Sequence, residues 1–90
     1  MINEFTELSG VTLEELFCDS RSPRIVCARQ LYWKLLKEKG RLTYRDIKGK
    51  SNRDMATISE GLKRVNGLLD TGDELATSMW DKVKHLNYTR

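Results

Sequence analysis

The chain has little of what most chemistry needs. It holds one proline and one histidine in ninety residues. A single proline and few Ser/Gly runs argue against disorder. No apolar stretch approaches the roughly 20 residues of a membrane span. The start, Met1-Ile2-Asn3-Glu4, lacks a cationic head and an apolar core, so no secretory signal is visible and a cytoplasmic location is expected. With no such signal, the two cysteines, Cys18 and Cys27, are expected as reduced, buried thiols. Two cysteines nine apart and the distant His85 give no metal-ligand spacing, so no metal site is expected. His85 has no adjacent nucleophile, and it suits the electrostatics of a helix end. Asp73-Glu74 reads as first-turn complementation of a helix dipole, while Asp19 and Asp81 have no visible partners. No catalytic residue, cofactor or small-molecule ligand is expected.

What the chain does have is positive charge in one place. Eleven of its sixteen Lys and Arg residues lie between Arg21 and Arg53, opposed there only by Glu38 and Asp46. That segment carries nine net positive charges, residues 1–20 carry five net negative charges, and residues 54–90 carry one. Self-repulsion in such a block opposes folding, so a polyanionic partner is the first expectation. A length of 90 residues suits one domain with one core, spanning 1–90.

Helical spacing runs through nearly the whole sequence. Residues 3–9 form a short helix closed by Gly10. Thr12 and Glu15 make a capping box for the next helix, with Leu13, Leu16 and Phe17 on its apolar face. Ser22-Pro23 is an N-cap followed by proline at the first helical position. The helix it opens runs to about Lys39 and stops at Gly40, with Ile25, Ala28, Tyr32, Leu35 and Leu36 on one stripe. At about 1.5 Å per residue it is a rod of roughly 25 Å, the central scaffold. Thr43 and Asp46 open a helix of about six residues, and Gly49-Lys50-Ser51-Asn52 reads as the turn after it. Arg53 opens another helix, with Ile58, Leu62, Val65 and Leu69 inward. Thr71 and Glu74 cap the last one, whose face is Leu75, Met79, Val83 and Leu86 with Trp80 beside it. No alternating strand pattern occurs. The expectation is an all-α, compact helical bundle of about five to six helices.

A short helix, a tight turn and a longer helix make a helix-turn-helix, whose second helix enters the major groove through its N-terminal residues. Those residues are Asn52, Arg53, Asp54, Met55, Ala56 and Thr57. Arg53 can donate to a guanine edge or a phosphate. Asp54 can accept from cytosine or cap its helix, and Ala56 and the Thr57 methyl can touch a thymine methyl. Arg21 and Arg24 flank the start of the long helix, and Lys48 and Lys50 lie at the turn. Lys34, Lys37, Lys39, Arg41 and Arg45 surround them. The plainer reading of Lys37 and Lys39 is a solvated helix face.

The run Arg21-Ser22-Pro23-Arg24-Ile25-Val26-Cys27-Ala28-Arg29-Gln30-Leu31 resembles the start of the C-terminal DNA-binding domain, domain IV, of the bacterial chromosomal replication initiator DnaA. Leu42-Thr43-Tyr44-Arg45-Asp46-Ile47 and Asn52-Arg53-Asp54-Met55-Ala56-Thr57-Ile58 are similar to that family's later motifs. The likeness covers about residues 5–86 and implies a Trp-repressor-like helix-turn-helix fold that binds double-stranded DNA. It also implies roles: Arg21 in the minor groove, Arg29 and Gln30 at the DNA from the long helix, and Lys37 near a phosphate. Arg45 stands for a proline that approaches DNA, and Arg53, Asp54 and Thr57 belong to the recognition helix. Met55 replaces a base-contacting histidine and Ala56 a threonine, the turn is about one residue shorter, and Asn52 replaces a glycine. Each lost base contact is worth about 1–3 kcal/mol of discrimination, so the family's usual target is not expected. The phosphate loop of an ATPase is absent, so this chain is expected to be an excised domain or a stand-alone relative. Two other readings stand beside this one. Met55-Ala56-Thr57-Ile58-Ser59-Glu60-Gly61 is similar to the recognition helix of Trp-repressor-type dimers, which take a small corepressor. A protein-interaction module would instead use Trp33, Trp80 and Tyr88 as anchors.

Overall fold

The computed structural model describes residues 2–51 and 53–87. They form six helices: α1 Ile2–Ser9, α2 Leu13–Phe17, α3 Pro23–Glu38, α4 Tyr44–Ser51, α5 Met55–Asp70 and α6 Glu74–Val83. The described residues contain no strand, and the chain is an all-α bundle. A Cα radius of gyration of 11.8 Å is that of a closely packed chain of this length, about 12 Å.

Helix α3 is the scaffold, packed against α2, α4, α5 and α6. Its face of Ile25, Ala28, Leu31, Tyr32, Leu35 and Leu36 is buried. Phe5 of α1 meets Tyr32 with ring centroids 5.4 Å apart, and Ile47, Ile58, Val65 and Val83 bring the other helices into the same core.

Local signals set most boundaries. Thr12 and Glu15 close a reciprocal capping box at 3.1 and 3.0 Å. Its hydrogen bonds, the Thr12 backbone first, hold the Glu15 carboxyl below its usual range. Thr43 and Asp46 do the same for α4, at 3.1 and 3.2 Å. Gly10, with φ 74°, takes the left-handed conformation that ends α1.

Several boundaries and faces differ from expectation. Helix α4 continues through Gly49 and Lys50 to Ser51, so three of the four residues expected in the turn are helical. The Ser51 hydroxyl accepts a hydrogen bond from Trp33 Nε1 at 2.9 Å, which draws that last turn into the core. This also buries Trp33, which the protein-interaction reading would use as a surface anchor. Arg53 lies outside α5, and Asp54 caps it by accepting from the Thr57 amide at 2.7 Å. Ser22 makes no side-chain cap of α3, although Pro23 is its first residue. Past α3 the left-handed residue is Arg41, with φ 54°, and not Gly40. Asp73, not Thr71, caps α6 by accepting from the Ala76 amide at 3.0 Å. Thr71 instead ends α5, its hydroxyl donating to the Gly67 carbonyl at 3.1 Å. With α6 starting from a cap two residues later than expected, Ala76 is buried and Leu75 is exposed. Helix α6 stops at Val83, before His85 and Leu86. Cys27 is buried, but Cys18 is exposed. Burial, then the nearby Asp73 charge, pushes the Cys27 thiol's pKa up.

Candidate nucleic-acid interface

The candidate interface is built on α4, Arg53 and Asp54, and the first turns of α5. Ile47 and Ile58, both fully buried, press the two helices onto α3. This packing leaves Arg45 and Lys48 of α4 exposed, with Met55, Ala56 and Thr57 exposed on the first turn of α5. Lys50 is also exposed. The Asp54 carboxyl serves α5 rather than pointing freely outward. Its hydrogen bonds, the Thr57 amide first, hold its pKa below the usual carboxylate range, and the Lys48 charge adds to this. Asn52 lies outside the described residues.

Two predicted reading residues are turned inward. Arg29 donates from Nε to the Leu16 carbonyl at 2.9 Å and from a terminal nitrogen to the Cys18 carbonyl at 2.6 Å. Arg53 donates to the same Cys18 carbonyl at 2.7 Å and lies 3.4 Å from the Asp19 carboxylate. The Arg53 side chain keeps only 18% of its exposure. Partial burial, then the charge of Arg53, lowers the Arg29 pKa from the ordinary guanidinium value. The two arginines therefore clamp the α2–α3 loop to the turn before α5. Asp19 is almost fully exposed, so its ion pair contributes little, and the carbonyl bonds carry the clamp.

The clamp uses the planar fork of a guanidinium, which an ammonium does not reproduce. Arg29→Lys is expected to lower stability by about 1–2 kcal/mol while keeping the charge. Chemical denaturation measures this, and an unchanged midpoint would show that the carbonyl contacts are dispensable.

The other predicted residues divide by surroundings. Arg21 is exposed at the loop before α3. Arg24 is half exposed but tied to the Gly10 carbonyl at 3.0 Å and to Glu15 at 3.6 Å. Gln30 is buried and lines two grooves beside α3. Lys37 stacks 4.9 Å from the centroid of Tyr44 on α4. Of the aromatic anchors suggested by sequence, Trp33 is buried and Trp80 lies half-buried beneath Lys34, 5.2 Å from its ring centroid. Tyr88 lies outside the described residues.

The groove itself was not anticipated. It is about 700 Å³, lined by Val26, Arg29, Gln30 and Trp33 of α3 and by α5 from Ala56 to Arg64, with Arg53 also on its lining. Lys63 and Arg64 lie outside the cationic segment and were overlooked. Their spacing of seven and eight residues from Ala56, through Glu60, was the sequence signal that places them on the same helix face. Tyr44, exposed beside Lys37, was also missed as a surface residue.

No protein-family model, no curated protein and no solved structure matches the chain.

Proposed function

We propose that this protein binds double-stranded DNA, with α4 and the N-terminal turns of α5 addressed to the major groove. The observation that carries this reading is the juxtaposition of two exposed sets. Met55, Ala56 and Thr57 project from the start of a helix, and Arg45, Lys48 and Lys50 surround them from the helix before it. Arg21 adds an exposed cation at the loop beside α3. Neutral and small residues at the helix start suit base edges, and cations around them suit phosphates.

The clamp refines the roles. Arg53 and Arg29 already spend hydrogen bonds on the Cys18 carbonyl, so they hold the turn in place while their charge adds to the local field. Readout then falls to Met55, Ala56 and Thr57. Arg21 is assigned to the minor groove, where narrow A·T-rich tracts attract arginine. The resemblance to the DnaA C-terminal domain supports a role in replication initiation or in a related stand-alone regulator, in the cytoplasm.

Selection from random duplex DNA tests the reading. The wild type is expected to enrich a consensus that Thr57→Ala changes at one or two positions, with Arg21→Ala losing chiefly A·T-rich flanks. No duplex binding by fluorescence anisotropy at about 50 mM salt would refute DNA binding, since phosphate contacts are strongest there.

A further inference from the structure

We infer that Lys63, Arg64 and the groove beside them hold a DNA phosphodiester strand, so that phosphate binding extends into the third turn of α5. The inference rests on the DNA-binding reading above and adds a contact surface outside the cationic segment.

Both side chains are exposed, and among the described residues neither has a carboxylate or carbonyl partner. Adjacent cations without partners repel one another, and a polyanion relieves that repulsion. Arg64 borders two grooves. One is the groove along α3 that Arg53 also lines, and the other, about 380 Å³, is lined by Arg21 as well. Arg64 thus joins the loop cation before α3 to the turn cation before α5.

The spacing fits a strand. Thr57 and Arg64 are seven residues apart on one helix, about 10 Å along its axis. That length equals about three nucleotide rises of roughly 3.4 Å along the DNA axis. The linings of the two grooves include two carboxylates, Glu60 and Asp73. Asp73 is occupied as the cap of α6. Glu60 is left facing the track, where it opposes a phosphate.

The test is anisotropy of a labelled duplex of about 20 base pairs at several salt concentrations. The proteins are the wild type, the double variant Lys63→Ala/Arg64→Ala, Glu60→Gln, and Lys82→Ala on α6 as a control that loses a cation away from the grooves. If each lost phosphate contact removes about 0.9 from the log–log salt slope, the double variant should be shallower by about 2. Its affinity at about 50 mM salt should fall at least tenfold. Glu60→Gln should tighten binding severalfold, and Lys82→Ala should match the wild type. A wild type that binds alongside a double variant of unchanged slope overturns this inference and leaves the main reading standing. Unchanged affinity in Glu60→Gln overturns it too, independently of how the double variant folds. A wild type that does not bind overturns both.

Discussion

Raising salt from about 50 to 200 mM is expected to weaken duplex binding about a thousandfold. The reasoning is counterion release. About six phosphate contacts give a log–log slope near −5, and a fourfold rise in salt then removes about three decades of affinity. The contacts expected are those of the exposed Arg21, Lys37, Arg45, Lys48 and Lys50, with the α5 shoulder beyond them. Arg29 and Arg53 contribute field more than contact, because carbonyls already hold their donors. Arg29→Ala should therefore lower stability more than it changes the slope. A measured slope shallower than about −2 would mean that most exposed cations never meet phosphate.

Gly61→Val is expected to destabilise the fold by about 3 kcal/mol, more than most surface or helix-interior substitutions. Glycine in mid-helix is itself unfavourable by about 1 kcal/mol relative to alanine, so the position needs a reason. A Cβ built at Gly61 would lie 2.6 Å from Cζ3 of Trp33 and 3.2 Å from Cγ of Gln30. The indole is only 3% exposed, and its Nε1 is bonded to Ser51, so the ring has nowhere to go. Glycine lets α5 lie directly on α3, and that approach sets the depth of the groove between them. Gly61→Ala should lose less, because its helix propensity offsets part of the clash. Thermal unfolding followed by circular dichroism measures both. A Gly61→Val protein that melts with the wild type would show that α5 is free to lift from α3.

The helices were legible because their signals are local. Capping pairs such as Thr12 with Glu15, and stripes such as Ile58, Leu62 and Val65, are read within four residues of one another. Boundaries failed where a distant residue intervened. Gly49-Lys50-Ser51 has turn chemistry, yet Trp33 holds Ser51 from 18 positions away and keeps it helical. Asp73, two residues on, caps α6 in place of Thr71, and Ala76 rather than Leu75 reaches the core.

The candidate surface divides along the same line. The order of residues alone determined that a cationic segment lies between two acidic ones, and that the chain is helical. It did not determine which cations are available. Arg29 and Arg53 look like their neighbours in sequence, but the fold brings both onto one backbone carbonyl of a loop far away in the chain. Lys63 and Arg64 stand outside the segment, but the closeness of α5 to α3 at Gly61 brings Arg64 to the groove that Arg21 borders. A charge is a property of a residue, whereas a free donor is a property of what packs beside it, and only the tertiary structure decided that.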